Sequence, residues 1–147
     1  MNGFDLVFVI SATIFNLLII SIYIAQRLGK MDLVRKLGVC LLGLVIPFLV
    51  VFVAYLFMGK DLWILMILLA IFVYMFLELL WDYLMRFEFR KKPLFHIPYI
   101  ILLYIILFGN IAIAFRIDRS WGWVVTITFW MLLAVLVFSL IPNKKSK

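Results

Sequence analysis

The chain has 147 residues, 69% of them hydrophobic and 14% charged, with a mean hydropathy of +1.27. Soluble domains are about half apolar, so this composition excludes a water-soluble globular domain and predicts one lipid-dissolved domain over residues 1–147. The net charge of +7 does not imply nucleic acid as a partner. No polar domain exists to carry such an interface, and the basic residues cluster beside apolar runs, where anionic headgroups are nearest.

Crossing about 30 Å of hydrocarbon takes roughly 20 mainly apolar residues in helical conformation. Five stretches qualify: 6–25, 37–58, 62–84, 95–115 and 121–141. None alternates polar with apolar residues as a barrel strand would. The expected fold class is therefore all-α, a polytopic integral membrane helical bundle with five transmembrane helices.

The first span follows a tail that holds Asp5 and no Lys or Arg. It lacks a basic leader, exceeds the apolar core of about 7 to 15 residues typical of signal peptides, and ends in Tyr23-Ile24-Ala25-Gln26-Arg27 without a small-x-small cleavage site, so it is expected to be retained. Ser11, Thr13, Asn16 and Ser21 within it are candidates for hydrogen bonds between helices. In the second span Cys40, the single cysteine, can form no intrachain disulfide. Pro47 lies near the middle of this span, where its ring conflicts with the carbonyl of Gly43, and a kink is predicted there.

Met58-Gly59-Lys60-Asp61 is so short a connection that spans two and three must form a hairpin. Arg116–Ser120 joins spans four and five in the same way, and the first helix is expected to pack against the two hairpins. Pro98 suits the first turn of span four and Pro142 the close of span five. Asn110, Thr126 and Thr128 are further candidates for interhelix bonds. No internal repeat is visible.

The basic residues set an orientation. Arg27, Lys30, Arg35 and Lys36, then Arg86, Arg90, Lys91 and Lys92, then Lys144, Lys145 and Lys147 fall on one side, against Lys60, Arg116 and Arg119 on the other. The positive-inside rule then predicts an external N-terminus and a cytoplasmic C-terminus. Trp63, Trp121 and Trp123 would mark the outer interface, and Tyr23, Trp81, Tyr83 and Tyr99 the inner one. The expected localisation is multi-pass in a membrane: the cell membrane in a prokaryote, with the endoplasmic reticulum an option in a eukaryote. Lys144 and Lys145 resemble a retrieval signal of that compartment, although a topology anchor is the favoured interpretation.

The third span carries the main chemical candidates. Tyr74, Glu78, Asp82, Arg86 and Arg90 recur every four residues and so lie along one slowly drifting helix face. Glu78 is roughly 9 Å inside the inner boundary at 1.5 Å per residue. Two alternatives follow. Glu78 and Asp82 could line a cytoplasm-facing proton or cation site. Alternatively, Asp82 pairs with Arg86 while Glu78 takes a partner from a neighbouring helix end, such as Arg27 or Arg35, and this structural alternative is favoured. His96 and Tyr99 start span four on the same side and could join them. One His and two carboxylates do not specify a metal, and no H-E-x-x-H, C-x-x-C, G-x-S-x-G or G-x-x-x-x-G-K-[ST] motif occurs. No cofactor is implied. Arg86, Arg90, Lys91 and Lys92, interleaved with Phe87 and Phe89, form a candidate collar for anionic lipid headgroups.

Three function classes follow, in order of expectation. The first is action by association, as a complex subunit, stabiliser or lipid-binding partner, in a homo- or hetero-oligomer. The second is a transporter or channel component with an ion site at Glu78 and Asp82. The third is an embedded enzyme acting on a lipid headgroup at the cytoplasmic face through Glu78, Asp82 and His96. An enzyme is the least expected of the three.

Overall fold

The structure, a computed structural model, describes residues 1–84 and 93–141, with side chains for all of these except residues 82–84, 93 and 140. The described residues are helical apart from short connections. The helices are α1 (Gly3–Arg27), α2 (Met31–Gly43), α3 (Val45–Phe57), α4 (Leu62–Glu78) continued by a π-helical segment (Leu79–Leu84), α5 (Pro93–Ile117) and α6 (Arg119–Leu140). Five segments are long and apolar enough to cross a membrane: Gly3–Arg27, Met31–Phe57, Leu62–Trp81, Leu94–Ile117 and Arg119–Ser139.

Local chemistry explains where the helices start and stop. Asn2 caps α1: its side chain accepts from the Asp5 N–H at 2.8 Å, and the Asp5 carboxylate accepts from the Asn2 N–H at 3.2 Å, a reciprocal capping box. At the other end Gly29 takes φ +71°. That lets Gly29 N–H reach Gln26 C=O and Lys30 N–H reach Ala25 C=O, both at 3.0 Å, closing α1 in a Schellman turn. Gly59, at φ +62°, ends α3 in the same way through Leu56 and Tyr55. Asp118, the single residue between α5 and α6, accepts from the N–H groups of Ser120 and Trp121 and starts α6.

Near Pro47, where a kink is expected, one residue, Leu44, interrupts the helix between α2 and α3. The α-helix stops at Gly43, the residue whose carbonyl the proline ring opposes, and resumes at Val45 after Leu44. Three boundaries differ from expectation. The second helical segment starts at Met31 rather than at residue 37, because the helix continues through the polar Asp32, Arg35 and Lys36. Helix α5 starts at Pro93, so Pro98 lies inside it, beyond the first turn. The third segment, expected as continuous α-helix to residue 84, turns π-helical after Glu78.

Helix α1 is the hub of the bundle. Half of its most apolar stretch is buried, against 28% for Met31–Phe57 and for α6. The first helix is thus more than an addition to two hairpins. Asp5, Phe8, Ala12, Phe15, Ile19 and Ile22, spaced alternately three and four apart, are all buried. Phe8 and Phe15 meet Phe48 of α3 edge-on, each with ring centroids at 6.3 Å, and Phe15 meets Tyr74 of α4 at 5.8 Å. An aromatic ladder therefore runs through the centre from α3 to α4.

The contacts establish the up-and-down order. Asp5, at the start of α1, lies beside Tyr55 near the end of α3. Asp61, before α4, pairs with Arg116 near the end of α5. Arg27, at the end of α1, lies over the Phe138 ring near the end of α6, 3.7 Å from its centroid. The bundle thus has an Asp5 end and an Arg27 end. Trp63, Trp121 and Trp123 sit at helix starts on the Asp5 end.

Candidate functional site

Toward the Arg27 end, α4 and α5 meet through a short polar chain. Tyr74 and Glu78, one turn apart on α4, are both 2% exposed, and Tyr99 of α5 is 4% exposed. Tyr99 donates its hydroxyl to Glu78 Oε2 at 2.5 Å, and the Tyr74 and Tyr99 hydroxyls lie 2.6 Å apart. Tyr99 has one proton, which goes to Glu78. Tyr74 must therefore donate to Tyr99, giving a relay of Tyr74, Tyr99 and Glu78. The two tyrosine rings stack at 5.0 Å, with His96 stacked on Tyr99 at 6.4 Å and Trp81 tilted against it at the same distance. A buried carboxylate needs such donors, because desolvation is costly when hydrogen bonds are not regained.

The four-residue spacing on α4 thus aligns Tyr74 with Glu78 as expected, and Tyr99 and His96 join them from α5. The wider π-helical turn between Glu78 and Leu84 replaces the α-periodicity from which the position of Asp82 was inferred. The Asp82 side chain, and Arg86, Arg90, Lys91 and Lys92 entirely, lie outside the described residues. Arg27 is half-buried with its guanidinium on Phe138, and Arg35 is exposed on α2. Among the described residues no three His, Cys, Asp or Glu side chains converge as a metal-ligand set would require.

The polar residues inside other helices behave in two ways. Asn16 of α1 donates to Thr128 of α6 at 2.9 Å, a buried bond between helices. Thr13, Ser21 and Thr126 instead bond the carbonyl four residues back in their own helices, each at 2.8 Å. A hydroxyl on a helix always has that carbonyl within reach, so it needs no neighbour. Asn110 is fully buried, and neither of its amide atoms has a hydrogen-bond partner among the described residues.

A second polar cluster, at the Asp5 end, escapes sequence reasoning. Asp5 is 6% exposed. It accepts from the Tyr55 hydroxyl at 2.7 Å and faces Lys60 Nζ at 3.7 Å. Asp61 pairs with Arg116 across the same space. Together they line a cavity of about 230 Å³ floored by Ile64 and Ile113. The Asn2-x-x-Asp5 spacing could have revealed the helix cap. Nothing local indicates that Asp5 also meets Tyr55, 50 residues away. No protein-family model, curated protein or solved structure matches this chain.

Proposed function

We propose that this protein spans a membrane five times, with its N-terminus outside and its C-terminus in the cytoplasm, and acts there by association, as a subunit, stabiliser or lipid-binding partner. The observation that carries this reading is the condition of Glu78, the main candidate for chemistry: it is 2% exposed and accepts a hydrogen bond from the Tyr99 hydroxyl across the α4–α5 contact. A carboxylate held in this way joins two helices. Asn16 and Thr128 do the same between α1 and α6. The basic segments at the Arg27 end then face anionic lipid of the inner leaflet.

A transporter component with a proton site at Glu78 is the second reading. The π-helical segment directly after Glu78 favours it, since π turns recur at functional sites, as does the tyrosine relay leading to the carboxylate.

Glu78→Gln in reconstituted vesicles separates the two. Association predicts a less stable bundle, with no proton or cation flux in either form and a cross-linked adduct of defined mass in native membranes. A flux that disappears with Glu78→Gln, or recovery of the protein only as a monomer that retains no lipid, would overturn it.

A further inference from the structure

The cavity at the Asp5 end contains two acids and two bases in alternation. Asp5 faces Lys60, and Asp61 faces Arg116. All lie at or beside helix ends, the level at which headgroups would meet a membrane-spanning bundle. The volume, about 230 Å³, corresponds to roughly seven or eight waters at ~30 Å³ each, which suits a small polar group rather than a drug-sized ligand.

The four charges cancel, and this selects among ligands. An anion alone would be drawn to Lys60 and Arg116 but repelled by Asp5 and Asp61, and a cation alone would meet the reverse. A zwitterion satisfies both by exchanging partners. Asp5 is the fixed acceptor, held by Tyr55 and by the Asn2 N–H. Arg116 and Asp61 are the movable pair, with side chains 57% and 47% exposed. Ion pairs this exposed are worth about 0–1 kcal/mol and open readily. The carboxylates require N–H donors, so a primary ammonium fits where a quaternary one, with no donor, does not. A planar guanidinium opposite them can hold two oxygens of a phosphate through paired N–H donors.

We propose that this cavity binds a zwitterion carrying a primary ammonium and a phosphate, the headgroup chemistry of an ethanolamine phospholipid. Asp5 and Asp61 take the ammonium, and Lys60 and Arg116 the phosphate. For the lipid form, the inference rests on the membrane-spanning reading above.

The test uses the full chain in mild detergent, offered equal amounts of phosphatidylethanolamine, phosphatidylcholine and phosphatidylglycerol, with retained lipid read by native mass spectrometry. Phosphatidylethanolamine should be retained about tenfold over the other two, as expected for one charge-assisted hydrogen bond. Asp61→Asn should remove the preference over phosphatidylcholine, and Arg116→Gln should lower retention of all three, because each carries a phosphate. Asp61 and Arg116 are both exposed, so an unchanged melting midpoint for each variant shows that the fold is intact. Lys60→Gln serves as a second variant on the phosphate side, and Asp61 is chosen over Asp5 on the ammonium side because Asp5→Asn also alters the α1 cap. Free O-phosphoethanolamine that binds without lipid and displaces none would assign the same chemistry to a soluble ligand. Equal retention of all three lipids, with no binding of free O-phosphoethanolamine, would overturn the proposal. A chain that fails to enter vesicles would defeat the membrane reading, leaving the free-ligand measurement to judge the cavity.

Discussion

The Tyr99 hydroxyl serves two partners, accepting from Tyr74 and donating to Glu78. Tyr99→Phe keeps the stacked ring and removes only these bonds. It should cost about 1–3 kcal/mol, the range for stripping a donor from a buried polar group, read as a lower melting midpoint in detergent. An unchanged midpoint would show that the relay contributes nothing to cohesion. Asn110 is the opposite case, a fully buried amide without a hydrogen bond among the described residues. Asn110→Leu should leave stability equal or raise it by about 1 kcal/mol. A clear loss in the same melt would mean that the amide is satisfied by a group such as a bound water. Glu78 and Tyr74 were legible in the sequence because four-residue spacing on a helix is local geometry. Their partner Tyr99 was legible only as a residue on the same side, since the crossing of α4 and α5 determines which side chains touch.

Among the elements, the break between α2 and α3 and the close approach of α4 to α5 have different origins. The break follows from Pro47 and the carbonyl of Gly43, a covalent constraint visible in the sequence. The close approach occurs where Gly109 of α5 meets Ile67 of α4. A β-carbon at Gly109 would fall 2.6 to 2.8 Å from three carbons of the Ile67 side chain. Gly109→Ala should therefore push the helices apart and cost about 1–3 kcal/mol, as overpacking does. Ile67→Ala in the same chain should recover part of the loss, and a double-mutant cycle of melting midpoints measures the coupling. Additive effects would mean that the two residues do not meet. Small residues permit such approaches in membrane bundles, but one glycine in an apolar run does not reveal which neighbour it faces.

For the whole molecule, the proposed orientation places Lys60 and Lys147 on opposite sides of the membrane. Single cysteines at these positions, in a chain with Cys40 replaced, should differ in labelling by an impermeant maleimide on intact cells: Lys60→Cys reacts and Lys147→Cys does not. Equal labelling would refute the arrangement. The sequence alone determined the all-helical class, the five apolar segments, their approximate limits and the tight hairpin turns, because these depend on length, composition and neighbouring residues. Only the tertiary structure decided that α1 is the hub, that Tyr99 completes the Glu78 site, and that Asp5, Lys60, Asp61 and Arg116 surround one cavity. In a water-soluble bundle a polar face would have marked the outside of each helix. Here the helices are apolar on nearly every face, so periodicity cannot indicate which face turns inward, and the choice falls to shape, aromatic contacts and a few buried hydrogen bonds between distant residues.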